Sequence, residues 1–409
     1  MFWTMKKAGY RAVQVGLGLA MRVIPWQKPV LVEHPGAIGA LPAALAEDGL
    51  HKVLVVTDRG VLRAGLVNRI YKELERAGVA VEVFSDVHAN PTIPDILGGL
   101  RRYRAFDCEG VIALGGGSAM DASKMIAALV ALPEGSERKL GGLFQVTLRK
   151  GLRKLPPLYA IPTTAGTGSE TTIVAVVSDP KTHAKYTVMD FPLLPKRVFL
   201  DADLTRTLPA RVTAQSGMDA LVHAVEAYVN GYMATAETRH QARQATEMIF
   251  RYLPRAYADG SDLEARDKML TAAFLAGQAF GRATVGYAHS IAHAVGGLTG
   301  MAHGELTGIC LPPLLEWYGA AAVPRLAELA YTIGCTTPEM NDTAKARAFI
   351  KKVYALRRSL GLAESLPTLD AAQIETVCRR ALREANPLYP VPRIMNLAQC
   401  RSFVKMLMK

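Results

Sequence analysis

Cysteine is scarce in this chain: Cys108, Cys310, Cys335, Cys378 and Cys400 are scattered over 409 residues. Their number is odd and none of them forms a Cys-x-x-Cys pair. That argues against a disulfide framework and a thiolate zinc site, and for a reducing, cytoplasmic compartment. Blocks of like charge, low-complexity tracts and internal repeats are also missing, so disorder is not expected. No apolar run is long enough to span a bilayer. The nearest approach, "MKKAGYRAVQVGLGLAMRVIPW", is interrupted by Gln14 and Arg22 and is followed by no small-x-small cleavage pattern. Residues 1–28 therefore read as an extension forming an amphipathic helix packed on the body, with membrane-surface contact as the alternative.

What the chain does have is apolar content, 50% hydrophobic against 21% charged, enough for two domains with proper cores. Its formal charge is +12 and its pI is near 9.5. The basic residues are spread out, and the densest groups, "RKGLRK" and "RRYR", lack an aromatic stacking platform. A nucleic-acid partner is not expected; a basic surface attracts small anionic ligands equally well.

From Lys52 to about Asp203 short apolar runs alternate with helical stretches. "KVLVVTD", "VAVEVFSD" and "GVIALGGGS" read as strands, and "GVLRAGLVNRIYKELERAG", "PDILGGLRRYRAFD" and "SAMDASKMIAALVA" as helices. "LYAIPTT", "TTIVAVVSD", "AKYTVMD" and "RVFLDAD" read as further strands. Continuous Val/Ile/Leu runs separated by helices predict a parallel sheet covered on both faces. Beyond "TRTLPARVTAQSG" the apolar stripes keep a helical period and no convincing strand recurs. The expected organisation is an extension over 1–28, a Rossmann-like α/β domain over 29–207 and an all-α domain over 208–409, with a ligand cleft between the domains.

Two loops in the first domain are suited to a nucleotide. Gly115, Gly116, Gly117 and Ser118 join a strand to a helix, where backbone N–H groups bind pyrophosphate. An ordinary tight turn is the alternative. "IPTTAGTGSE" offers the hydroxyls of Thr163, Thr164 and Thr167 after another strand. Asp58 ends the strand "KVLVVTD", where it could bind a ribose 2′-hydroxyl, which favours NAD over NADP, or cap the next helix.

The second domain holds a different chemistry. Asp219 and His223 stand four apart on a helical stretch and share a face. His289 and His293 are likewise four apart, "GGLTG" is expected to break that helix, and His303 begins the next. One carboxylate with two or three imidazoles suits a divalent first-row ion with a position open to substrate.

"NPTI" at 90–93, "GGGSAMDASK", "IPTTAGTGSE", "DADL", "SGMDALVHAVEAY" and "GYAHSIAHAVGGLTGMAHGELTG" occur in one order over roughly residues 29–400. In this the chain resembles the iron-containing, group III alcohol dehydrogenases, related in fold to glycerol dehydrogenase and dehydroquinate synthase. The resemblance implies a dehydroquinate synthase-like fold and Asp219, His223, His289 and His303 as ligands of Fe2+, a set that also accepts Zn2+ or another divalent ion. His293 matches a histidine beside nicotinamide and substrate and is the candidate proton carrier. Gly116, Gly117 and Ser118 match the pyrophosphate site, with Asp121 supporting that turn. Thr163, Thr164 and Thr167 match the cofactor channel, Lys185 a lysine near the nicotinamide ribose, and Asp58 the ribose-binding aspartate. Thr171 and Val174 depart from the common pattern and make the substrate pocket apolar there.

The implied activity is hydride exchange between NAD, or NADP, and a small uncharged alcohol or aldehyde, with a homodimer as the usual assembly. A dehydroquinate synthase-like or glycerol dehydrogenase-like enzyme is the alternative on this scaffold. The absence of Lys and Arg beside the metal motifs argues against the anionic substrate of the first. A non-enzymatic membrane-surface or assembly protein is the other alternative, and it leaves the metal constellation unexplained.

Overall fold

The computed structural model describes residues 2–180 and 184–408, with the backbone alone for Phe2, Ala184 and Lys185. Its strands are β1 (Val30–Glu33), β2 (Lys52–Val56), β3 (Ala80–Phe84), β4 (Gly110–Gly115), β5 (Gly142–Leu143), β6 (Leu158–Pro162), β7 (Val174–Asp179), β8 (Ala184–Met189) and β9 (Arg197–Leu200). Six of them form one sheet in the order β1-β9-β6-β4-β2-β3, every neighbouring pair parallel.

Side-chain alternation explains why the runs look continuously apolar. Val53, Val55, Ile112, Leu114, Tyr159, Ile161 and Phe199 point to one face, against Leu41, Leu45, Leu66, Ile70 and Leu74 of the helices Leu41–Glu47 and Leu66–Arg76. Leu54, Val56, Val111, Ala113 and Ala160, on the other face, are equally buried. The helices Ile93–Ala105 and Gly117–Val130 pack there.

Three features differ from the sequence reading. The alternation begins before Lys52, because β1 is an edge strand too short and too exposed to show a buried apolar run. β7 and β8, expected among the strands, pair antiparallel in a separate sheet ordered β5-β8-β7. The first long helix divides into Arg59–Arg63 and Leu66–Arg76 at Gly65, whose φ of 74° is left-handed.

The chain divides into two compact units. One comprises Gln27–Leu208 and Gly260–Phe274 and contains the sheets. In it β6, β4 and β2 are neighbours, so the loops after Pro162, Gly115 and Val56 emerge along one carboxyl edge, the usual ligand edge of an open parallel sheet. Arg266 joins Gly260–Phe274 to this unit by donating to the Gly260 and Leu208 carbonyls at 3.2 Å each.

The other unit comprises Met1–Trp26, Pro209–Asp259 and Leu275–Lys409 and is helical among the described residues. At its centre the helix Ala210–Val229 is buried at every position from Gly217 to Val229, including the charged and polar Asp219, His223 and Glu226. The N-terminal helix, Phe2–Val23, buries Gln14 and Gly18 and leaves Met5, Val13, Val15, Leu19 and Val23 exposed. None of the described helices is long and apolar enough to cross a membrane.

The helix His303–Tyr318 crosses Ala210–Val229 at glycine: a Cβ on Gly304 would stand 2.0 Å from the Gln215 carbonyl oxygen. A Gly304→Ala variant must push the two helices apart. We expect a loss of about 1–3 kcal/mol, seen as an earlier thermal unfolding transition, and a lower metal content, because His303 moves with the helix.

Candidate active site

Helix geometry assembles a carboxylate–imidazole cluster that could hold a metal ion. Asp219 and His223 lie one turn apart, with His223 Nδ1 3.9 Å from Asp219 Oδ2. His289 and His303 enter from the helices Tyr287–Thr299 and His303–Tyr318 and bring Nε2 to 3.7 Å and 3.4 Å from Asp219 Oδ1. The ligand atoms of Asp219, His289 and His303 lie within 4.8 Å of one another. The His223 ring stacks on His289 at 4.3 Å between centroids and on Phe280 at 4.1 Å. Two atoms ligating one such ion at about 2.1 Å are at most about 4.2 Å apart. The Asp219 contacts fall inside that limit.

The donor set passes a chemical test as well. Asp219 is 3% exposed, and a bare buried carboxylate is costly. Burial pushes its pKa up, but the imidazoles of His223, His303 and His289 outweigh that and hold it well below the usual carboxylate range. His289 Nδ1 donates to Glu226 Oε2 at 2.6 Å. Its Nε2 is buried without a hydrogen-bond partner. An imidazole fixed at one nitrogen by a carboxylate and bare at the other is the arrangement that metal sites use to set tautomer and direction. Burial alone would lower the His289 pKa; the neighbouring Asp219 carboxylate and the hydrogen bond to Glu226 prevail and raise it to about 9.

Sequence reasoning missed the residues behind this set. Glu226 is fully buried and also accepts from the Gly286 and Ala288 backbone N–H groups at 2.7 and 2.8 Å, so it caps the helix that carries His289. Thr307 donates to Asp219 Oδ1 at 3.2 Å. A signal for Glu226 was available: it follows Asp219 by seven residues and His223 by three, on the same helical face. The helix carrying His289 also runs on through Gly296 and Gly297 and ends at left-handed Gly300, where the sequence reading broke it at "GGLTG".

His293 stands apart from the trio. Its ring stacks on His303 at 5.1 Å, and Nδ1 donates to Glu384 Oε1 at 2.7 Å. The side chain is 33% exposed. Glu384, 91 residues away, carried no sequence signal.

In the sheet unit Gly116 caps the helix Gly117–Val130, whose first N–H groups have no intrahelical acceptor and suit an anion. A Cβ on Gly116 would meet Thr164 Oγ1 at 3.1 Å, and one on Gly117 would meet Thr167 Cγ2 at 2.8 Å. The glycines thus let the threonine loop close on the helix N-terminus. Thr163 is buried and its N–H donates to the Gly115 carbonyl at 3.0 Å. Ser118 Oγ accepts from the Asn90 N–H at 3.2 Å.

Asp58 caps the helix Arg59–Arg63: Oδ1 accepts from Gly60 and Val61 N–H at 2.7 and 3.0 Å. Its Oδ2 lies on the Gly115 side. Asp121, one turn into the helix that follows the glycines, has oxygens that accept from Ser169 Oγ at 2.8 Å and Val176 N–H at 3.0 Å, because its position on the helix faces the Ser169–Val176 segment. It braces that segment beside Lys124, which donates to Ser169, Thr172 and Val174. The Lys185 side chain lies outside the described residues; its backbone pairs with Ser178. Thr171 is buried and donates to the Gly168 carbonyl, and Val174 opens β7.

A buried carboxylate–imidazole set of this kind, with a phosphate-ready loop elsewhere in the chain, defines a metal-dependent dehydrogenase. Residues 29–202 match the family model "Iron-containing alcohol dehydrogenase", and residues 213–408 match "Fe-containing alcohol dehydrogenase family, C-terminal". The chain belongs to the iron-containing alcohol dehydrogenase family and is an oxidoreductase of that kind. It is 34% identical to the choline dehydrogenase of Bacillus subtilis (strain 168), covering 92% of this chain and 95% of that one. With the NAD-dependent methanol dehydrogenase of Bacillus methanolicus it shares 32% identity over 91% of this chain and 97% of the relative. A solved 1,3-propanediol oxidoreductase superposes with a TM-score of 0.89 at 31% identity, covering 94% of this chain and all of that one. The chain spans 43% of the length of the bifunctional aldehyde-alcohol dehydrogenase of Escherichia coli (strain K12).

Replacing Glu226 by Gln removes the charged acceptor behind His289 and should weaken Zn2+ binding by about 10–100-fold, measured by chelator competition. In the wild type, binding should weaken as pH falls below about 9, because a proton on His289 competes with the ion. Affinity independent of pH would remove His289 from the ligand set.

Proposed function

We propose that this enzyme interconverts a small uncharged primary alcohol and its aldehyde with NAD as hydride carrier, NADP being the alternative. In this reading Asp219, His223, His289 and His303 hold a divalent ion, Fe2+ first and Zn2+ as substitute. The observation that carries it is the orphaned, buried Nε2 of His289 facing Asp219 beside His303. Nucleotide binding is assigned to residues 29–207 and metal binding to 208–409, with residues 1–28 as an extension.

Such an ion supplies Lewis acidity at the substrate oxygen. The rest falls to the chain's own groups. Bound nicotinamide would supply the hydride for the carbonyl carbon in the reducing direction, and the substrate oxygen would then need one proton. His293 is assigned to deliver the proton, directly or through a cofactor ribose hydroxyl, with Glu384 fixing its ring. No protein nucleophile is needed. The helix N-terminus at Gly116–Ser118 is assigned to the pyrophosphate, Thr163, Thr164 and Thr167 to the cofactor channel, and Lys185 to the nicotinamide ribose. Asp58, with one oxygen used by its cap, keeps the other for a ribose hydroxyl and would repel a 2′-phosphate.

Choline, methanol and 1,3-propanediol, the compounds in the relatives' names, share a primary hydroxyl, which supports that class. The motif flanks "SGMDALVHAVEAYVN" and "VGYAHSIAHAVGGLTG" contain neither Lys nor Arg, which supports an uncharged substrate over an anionic one. The free cysteines support a cytoplasmic setting. Family resemblance supports a homodimer, and membrane contact through the N-terminal helix is the lesser reading.

An anaerobic panel of aldehydes and alcohols, run with both nicotinamides after Fe2+ reconstitution, tests the proposal. NADH consumption with an unbranched aldehyde is expected, at least about tenfold faster than with NADPH; no turnover with any member overturns it. A His289→Ala/His303→Ala double variant should retain no bound metal, and full metal content in it would overturn the site. His293→Ala should keep the ion and lower turnover.

A further inference from the structure

The N-terminal helix precedes the segment that the family model matches, residues 29–202, yet it holds a loop that reaches the reacting histidine. Gln14 is fully buried. Its Nε2 donates to the Pro387 and Tyr389 carbonyls at 2.8 and 2.9 Å, and its Oε1 accepts from Arg11 at 2.8 Å. Arg11 donates onward to the Val391 and Pro392 carbonyls at 2.8 and 3.1 Å. One face of one helix thus binds four carbonyls between Pro387 and Pro392.

The helix is seated for this task. A Cβ on Gly18 would stand 2.6 Å from the Tyr232 carbonyl oxygen, so the approach there is as close as backbone allows. Arg282 donates to the Met21 carbonyl at 2.9 Å and lies over the Trp26 ring. The loop needs outside donors. Pro387, Pro390 and Pro392 have no N–H, so it cannot build a backbone ladder of its own; the Gly231 N–H meets the Pro390 carbonyl at 2.9 Å, and the Gln14 and Arg11 side chains meet four others.

Tyr389 carries the connection inward. Its hydroxyl donates to Glu384 Oε1 at 2.9 Å, the oxygen that also accepts from His293 Nδ1 at 2.7 Å. The His293 side chain is one-third exposed, so packing alone does not fix its ring. Glu384 decides which nitrogen carries the proton, and Tyr389 decides where that carboxylate oxygen sits.

We propose that the N-terminal helix, through Gln14 and Arg11, sets the Pro387–Pro392 loop so that Tyr389 and Glu384 hold His293 as its Nδ1–H tautomer, leaving Nε2 as the atom that takes up a proton from solvent and passes it on. Gln14, Arg11, Tyr389 and Glu384 are positioning residues. The inference rests on the reading of His293 as proton carrier only for its effect on turnover; the tautomer is set whatever the substrate.

The test uses full-length, zinc-reconstituted protein labelled with 15N-histidine, in wild-type, Gln14→Met, Arg11→Met and Tyr389→Phe forms. The His293 signal is identified by its loss in His293→Gln. At one fixed pH the wild-type ring should show the Nδ1–H pattern, and each variant should move it toward Nε2–H or an average of the two. In steady-state aldehyde reduction kcat should fall about tenfold for Gln14→Met and for Tyr389→Phe, with the KM for NADH unchanged. The Gln14→Met/Tyr389→Phe double variant should lose no more than the worse single one, as members of one chain do. Arg11 is half-buried, so Arg11→Met keeps the test open if Gln14→Met does not fold. An unmoved His293 signal in the folded Gln14 or Arg11 variant overturns the proposal, as do losses that multiply. A wild type with the expected tautomer but no turnover on any aldehyde sinks the proposed function instead and leaves the role of the N-terminal helix standing.

Discussion

A negative charge buried as deeply as Asp219 is the constraint that organises the helical unit. An isolated carboxylate in such surroundings would take up a proton instead of staying ionised. Here imidazoles reverse that preference: His223, His289 and His303 bring their nitrogens within 3.9 Å of its oxygens. Three aromatic rings around one anion need helices that cross closely, which is why Gly304 stands against the Gln215 carbonyl and the helix Ala210–Val229 is buried on all sides from Gly217 onward. The packing and the charge cluster depend on each other. Neither set of residues is free to change alone.

Glu226 extends the same logic by one layer. Its carboxylate binds the first N–H groups of the helix bearing His289 and the Nδ1 of that histidine. One buried anion thereby satisfies a helix N-terminus, favoured by the helix dipole, and fixes an imidazole tautomer. With Asp219 on the far side, His289 stands between two carboxylates, and its raised proton affinity follows from them. A cation that can displace that proton fits the site for the same reason.

The α/β class and the parallel core were legible because buried strands leave continuous Val/Ile/Leu runs, as in "KVLVVTD" and "GVIALGGGS". β1 was not, since an edge strand of four mostly exposed residues leaves no such run. Nor was the separate β7–β8 hairpin, because strand pattern reports burial and not partner. In the site, Asp219 with His223 could be read from helical spacing, and Glu226 lay within the same motif at a position that spacing alone would have flagged. Glu384 could not be read, for its link to His293 spans 91 residues with no local pattern. Asp58 shows a different limit. The cap and the ribose reading were set against each other, whereas a carboxylate has two oxygens, and the cap uses Oδ1 alone.

The two classes of histidine are held by different means, and burial explains the difference. His289, 2% exposed, is walled in by rings and by carboxylates on neighbouring helices, so its direction follows from core packing. The His293 side chain is one-third exposed, as the proton carrier proposed above has to be, and that accessibility removes walls that would fix its ring. Orientation then has to come from hydrogen bonds, and those hold only as well as their acceptors are held. Glu384 and Tyr389 sit at the end of a helix and on a proline-rich loop, elements with few backbone bonds of their own. An added helix with donors pointing at that loop supplies the missing rigidity from outside the shared core, without touching the ligand set. On the proposed reading the exposed histidine depends on the part of the chain furthest from it in sequence, while the buried cluster is specified almost entirely by the helices that carry it.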